Sequence, residues 1–264
     1  MAIDFSNDYL KKSRQSLRFA PLRMIMKYAK FIDQYRQWQR KFFGHKVHPS
    51  QFECLINNAI ELGGGHFQKN GWVFVENILD KDFHQELVKN WPKNYFFDPP
   101  KKFTKSYNVG FRWVNGEKDY PKYFVQYPTL LKFINYLRSD EFCRRVDQLV
   151  GRQVEFTCYS FSLNSTYPHS EVIPHKDGIY QDDKAKNFIN MVFFINGRGG
   201  KNSGGLTLAW DNELKNIIIE PENLVNSCLI YDSKANFFHG FKQIDRGKFR
   251  WAVNSQFCEK TYLN

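Results

Sequence analysis

The chain reads as a mainly β protein with flanking helices, and three observations predict this. From residue 156 onward the apolar residues come in short runs rich in Val, Ile, Phe, Trp and Tyr: FTCYSFSLN, NFINMVFFIN, LTLAW, SCLIYDS, FFHG and GKFRWAVNSQF. Gly, Asn, Asp or Pro bounds each run, the pattern of β-strands separated by turns. The segments before them carry helical spacing and caps instead. With 264 residues, 42% apolar and 17% aromatic, the chain can fill one large core, and no internal repeat or low-complexity linker marks a second.

In chain order, residues 1–66 form a basic helical extension and residues 67–264 the main domain. Within the extension, PLRMIMKYAKFIDQYRQWQRKFF reads as a helix started by Pro21, with Leu22, Ile25, Ala29 and Ile32 on one side. HPSQFECLINNAIEL reads as a second helix capped by Ser50, and Gly63-Gly64-Gly65 as its stop. DKDFHQELVKNW is a helix capped by Asp80. Residues 98–127, rich in Pro, Gly, Lys and aromatics, read as irregular or hairpin. TLLKFINYLRSDEFCRRVDQLVG supplies one or two helices to brace the sheet.

The net charge of +11 is uneven. Residues 1–46 hold eleven Lys and Arg against three Asp, and the rest of the chain is nearly balanced, with 27 basic and 24 acidic residues. A basic amphipathic helix with Tyr35, Trp38, Phe42 and Phe43 suits an anionic membrane surface or an acidic substrate. It equally suits a helix that packs its apolar side on the core and leaves a solvated basic face. Nucleic acid also fits positive charge, but that attraction is shared by every anionic partner. Five cysteines, widely spaced and without a CxxC pair, suggest neither a disulfide framework nor a zinc site. With no apolar leader and no run of about 18 apolar residues, the expectation is a cytoplasmic protein, at most peripheral to a membrane.

The chemistry concentrates in His175, Asp177 and His239, with Arg250 eleven residues further on. Two imidazoles and one carboxylate suit Fe(II), leaving open positions for a chelating substrate and O2. His-x-Asp alone is weak, since the pair also reads as a turn before Gly178 with the carboxylate capping backbone amides. The order of the surrounding segments strengthens it: VIPHKDG, a strand, the glycine-rich GRGGKNSGG, more strands, then FFHG and the arginine strand. GRGGKNSGG lacks the Gly-Lys-Ser/Thr ending of a phosphate loop and reads as a hairpin loop. Arg246, in the polar turn IDRGK, is a rival to Arg250 better suited to solvent. His45, His48, His66, His84 and His169 form no comparable ligand set.

On these residues, the segment from about Asn70 to Phe257 resembles the non-haem Fe(II)/2-oxoglutarate-dependent oxygenases, and most closely their prolyl 4-hydroxylase-like branch. Gly204-Gly205 and the opening GWVFVENIL at residues 71–79 match the same pattern. The resemblance implies a double-stranded β-helix, or jelly-roll, core. It implies Fe(II) held by His175, Asp177 and His239, with Arg250 anchoring the far carboxylate of 2-oxoglutarate, which a guanidinium pairs bidentately. It implies hydroxylation with O2, releasing succinate and CO2, and Asp177 argues against halogenation, where relatives carry a small residue. The substrate expected from the branch is a peptidyl or amino-acid residue, or a small metabolite. An anionic glycan or lipid-linked substrate would account for the basic arm, and a non-catalytic binding module is the reading from another class.

Strand alternation extends the site. If Arg250 faces the barrel interior, so do Ala252, Asn254 and Gln256, and two polar groups there would touch co-substrate, water or substrate. By the same count Asn190, Val192 and Phe194 share a face, which makes Asn190 a candidate co-substrate contact. Tyr159 and Asn164 are further co-substrate candidates, and Arg112, Trp113 and Tyr123 are candidate substrate contacts in a segment that would close over the site.

Overall fold

In the computed structural model, residues 63–92, 110–114, 127–152, 156–166, 168–176 and 188–259 are described. Ten strands fall among them: β1 (Trp72–Glu76), β2 (Gly110–Val114), β3 (Phe156–Thr166), β4 (Val172–His175), β5 (Phe188–Gly197), β6 (Thr207–Ala209), β7 (Ile217–Ile219), β8 (Ser227–Asp232), β9 (Phe238–Phe241) and β10 (Arg250–Glu259). They form a six-stranded sheet ordered β1-β8-β5-β10-β3-β2 and a four-stranded sheet ordered β4-β9-β6-β7. Every pairing is antiparallel.

The large sheet is apolar on both faces because each face meets a different layer. Along β5, Ile189, Met191, Phe193 and Ile195 join one core with residues of the helices. Val192 and Phe194 join the other, with Leu229, Tyr231 and Ala252 of the same sheet and Val172, Leu208 and Phe241 of the small sheet. The second core is therefore the interior between the two sheets, as in a jelly roll. This explains why NFINMVFFIN is a continuous apolar run rather than an alternating one.

The helices are placed by their caps. In α2 (Lys81–Lys89) the Asp80 carboxylate accepts from the backbone N–H groups of Asp82 and Phe83. α3 (Pro128–Leu137) has Pro at its start, and α4 (Asp140–Val150) is capped by Ser139 and ends at Gly151 in the left-handed region. α3 and α4 are the bracing helices expected from the sequence. Phe133 of α3 is fully buried, edge-on to Phe193 of β5 at 5.2 Å and 6.1 Å from Phe83 of α2, so one ring links two helices to the sheet.

The glycine run leads into a helix, α1 (Gly64–Asn70), with Gly63 as its N-cap. Residues 110–114, expected to be irregular or hairpin, form an edge strand of the large sheet. The basic arm and the helix assigned to Ser50 lie outside the described residues. Among the described residues no helix is long and apolar enough to cross a membrane.

Truncating the linking ring, Phe133→Ala, is expected to lower unfolding stability by about 3–5 kcal/mol, read as a lower urea midpoint with unchanged slope.

Candidate metal and co-substrate site

His175 ends β4, and His239 sits opposite it on β9. Their ring centroids are 4.3 Å apart, inclined at 57°. The register slips between Val172 and His175, and such an irregularity re-aims the side chain that follows it. His175 Nδ1 lies 2.9 Å from the carbonyl of Ile173. A carbonyl only accepts, so Nδ1 carries the proton and Nε2 is left with its lone pair, the tautomer a metal ligand needs. His239 is buried, with its ring 5.3 Å from that of Tyr231. The glycine after it is sterically required, since a Cβ at Gly240 would lie 2.5 Å from the Val172 carbonyl and wedge β4 from β9.

Two imidazoles meeting across a strand pair, one already in its ligating tautomer, fit a borderline divalent metal such as iron. Asp177, the third expected ligand, lies outside the described residues. Among the described residues no three His, Cys, Asp or Glu side chains are grouped as a metal site.

Arg250 begins β10 and is 2% exposed. Its Nη1 donates to the carbonyl of Gly204 at 2.7 Å, and its guanidinium lies 4.7 Å from the Phe241 ring and 5.8 Å from that of Phe194. Nε is buried with no hydrogen-bond partner. No carboxylate among the described residues pairs with it. Burial pushes the pKa of Arg250 down to about 9, so the group is a cation at neutral pH. A buried cation without a counter-ion costs on the order of several kcal/mol, so the surroundings of Arg250 are complementary to an anion. Gly204 explains part of the Gly-Gly signature: at φ +86° it turns its carbonyl to the guanidinium, and a Cβ there would meet Ile244 Cδ1 at 2.6 Å.

The spacing of anchor and imidazoles matters. Phe241, against which Arg250 packs, stands two residues beyond His239 on the same strand, about 7 Å along it. An extended five-carbon diacid measures roughly 6 Å between its ends.

The other predicted residues separate into groups. Alternation along β10 holds: Ala252 lies in the interior, and Val253 and Phe257 in the helix-side core. Trp251 points outward too, stacked on Trp91 at 5.7 Å. On the interior face Asn254 is opposite Val192, Gln256 opposite Asn190, and Asn190 opposite Tyr231. Asn190 therefore stands level with the Tyr231–His239 contact. Asn164 is buried opposite Ala252, its Nδ2 3.4 Å from Ser162 Oγ. Tyr159 is the extra residue at a β-bulge, because Ser160 faces Gln256 and Cys158 faces Phe257. Arg112 and Trp113 belong to β2, where their backbones face Leu163 and Ser162; Tyr123 lies outside the described residues. Arg246 is exposed, and the other described histidines are otherwise engaged: His84 Nε2 lies 2.7 Å from the Ile195 carbonyl and His66 packs edge-on to Trp72.

Sequence reasoning missed Phe241 and Tyr231, the aromatic walls beside Arg250 and His239. The first was within reach by alternation from His239, and the second by counting along SCLIYDS to its inward positions.

No family model and no curated protein matches this chain. Its fold is that of the 2-oxoglutarate/Fe(II) oxygenases, with their jelly-roll core, prolyl 4-hydroxylases among them. A Pseudomonas putida prolyl-4-hydroxylase is similar at TM-score 0.54 and 13% identity, over 76% of this chain and 99% of that one. A Trichoplax adhaerens prolyl hydroxylase, solved with a hypoxia inducible factor peptide fragment, is similar at 0.55 and 15%, over 77% and 89%. The epimerase SnoN, solved with Fe3+, alpha-ketoglutarate and nogalamycin RO, is similar at 0.57 and 10%, over 77% and 84%. At these identities the likeness is one of fold.

Because the Arg250 charge has no counter-ion among the described residues, Arg250→Met is expected to melt no more than a few degrees below the parent chain, or above it, in differential scanning calorimetry. The desolvation removed outweighs the single bond to Gly204. A collapse of the melting transition would mean that the guanidinium holds the barrel together.

Proposed function

We propose that this chain is an Fe(II)- and 2-oxoglutarate-dependent oxygenase that hydroxylates a peptidyl or amino-acid residue or a small metabolite, releasing succinate and CO2. The observation that carries the reading is the buried Arg250 guanidinium, without a carboxylate partner among the described residues and packed on Phe241, which stands two residues beyond His239 on the same strand.

His175, Asp177 and His239 are the residues that would hold the iron. When bound, Fe(II) supplies O2 activation coupled to decarboxylation of the 2-oxo acid. The rest falls to the chain's own groups. Arg250 takes the far carboxylate of 2-oxoglutarate, and the Gly204 carbonyl and the Phe194 and Phe241 rings fix the guanidinium before the ligand arrives. Val192, Leu229 and Ala252, apolar and buried in the same interior core as Phe194 and Phe241, would keep water from the bound diacid. The Ile173 carbonyl holds the His175 tautomer. Hydroxylation is favoured over epimerisation, the activity named for SnoN, by the resemblance to the prolyl hydroxylase branch.

Two outcomes are expected. Incubated with Fe(II), ascorbate and O2, the parent chain converts 2-oxoglutarate to succinate, slowly without substrate, and Asp177→Ala lowers that rate by about a hundredfold or more. Succinate quantified by mass spectrometry checks this; equal rates would remove Asp177 from the site. The affinity for 2-oxoglutarate, measured by isothermal titration, is expected to be level from pH 6.5 to 8.5 and to fall as pH rises through about 9, because the neutral guanidine no longer attracts the carboxylate.

A further inference from the structure

A second concave surface lies between the edge strand β4 and the turn that joins β6 to β7. This cleft has a volume of about 170 Å³. Its apolar lining is Val172, Pro174, Leu214 and Phe241, together with Ile173, which is 45% exposed. An apolar cavity of about 150 Å³ takes up benzene, so the cleft has room for a branched or aromatic side chain. Covering Ile173 would remove one of the few large apolar surfaces that the described residues leave to water. The shape is preformed. The Asp211 carboxylate accepts from the backbone N–H groups of Glu213, Lys215 and Asn216, at 2.9, 3.1 and 2.6 Å. The turn so fastened holds Leu214 in the left-handed region, at φ +52°, a conformation that a leucine adopts only where its surroundings impose it.

The charges at the rim give the chemistry of what fits. Glu213 is already paired with Lys215. That leaves Glu171 and Lys242, both exposed. Val172 is in register with Phe241 across β4 and β9, so Glu171 and Lys242, the next residue on each chain, flank the same end of the cleft. They form no ion pair with each other, and neither pairs with another described residue. A free carboxylate and a free ammonium over an apolar hollow complement a molecule with one positive group, one negative group and an apolar body. A simple anion or cation would satisfy one rim charge and be repelled by the other, and an uncharged hydrocarbon would use neither.

We propose that this cleft binds a free apolar α-amino acid of the leucine or phenylalanine kind. Its ammonium pairs with Glu171, its carboxylate with Lys242, and its side chain lies against Ile173, Leu214 and Phe241. The site is separate from the oxygenase reading, and binding there is measured without iron or 2-oxoglutarate.

The test is a set of saturation-transfer NMR titrations on the full chain. L-leucine is compared with three probes that each lack one feature: 4-methylpentanoate has no ammonium, 3-methylbutylamine has no carboxylate, and glycine has no side chain. L-leucine is expected to saturate in the millimolar range, and each probe to bind at least about threefold more weakly, the size of one exposed ion contact or more. Glu171→Gln is expected to bind leucine no better than the parent chain binds 4-methylpentanoate, and Lys242→Gln no better than the parent binds the amine. Both side chains are exposed, so the melting temperatures of the variants are expected to stay within a few degrees of the parent. Failure of leucine to bind, binding of the acid or the amine as tight as that of leucine, or leucine affinity unchanged in both variants would overturn the proposal. If leucine binds in this pattern and 2-oxoglutarate does not bind, the cleft site stands and the oxygenase reading fails.

Discussion

A positive charge buried with no negative partner among the described residues is the constraint around which the interior of this protein is arranged. Arg250 is held by one carbonyl and two aromatic faces, contacts that orient a guanidinium without neutralising it. Phe194 and Gly204, which supply a face and the carbonyl, lie some way along the chain from Phe241 and Arg250. They are brought together because the two sheets share an apolar interior. The fold bears the cost of the unpaired charge across a large core of packed aromatics and aliphatics on the opposite face of the same sheet.

The imidazole pair follows from that frame. β9 carries His239 and Phe241 on one face, so one strand places an imidazole and an aromatic wall of the Arg250 guanidinium at a separation set by strand geometry. Gly240 between them lets β4 approach closely enough for His175 to come opposite His239. The short FHGF segment thus sets a backbone clearance as well as the two side chains.

Much of this was legible in the sequence, for identifiable reasons. Strands bounded by turn residues, the Asp80 cap and the outward and inward faces of β10 are local properties, and alternation carried the assignment of Asn254, Gln256, Asn190 and Phe194 to the interior. What was not legible depended on tertiary contact. The slip near Val172, the bulge that makes Tyr159 an extra residue, and the edge pairing of residues 110–114 are decided by partner strands and leave no local signature. The helix that begins at Gly64, with Gly63 as its N-cap, also left no local signature, since a glycine run reads as punctuation rather than as a helix start. Whether a neutral carboxamide such as Asn190 serves the anchor end or the imidazole end is a question of register across three strands, which single-strand alternation cannot answer.

The most direct test of the account is to add Fe(II) and then 2-oxoglutarate to the purified full chain without oxygen and record the visible spectrum. A weak charge-transfer band from the metal-bound 2-oxo acid is expected, greatly weakened in both Asp177→Ala and Arg250→Met. Absence of the band in a folded parent chain, or a band indifferent to both substitutions, would contradict it.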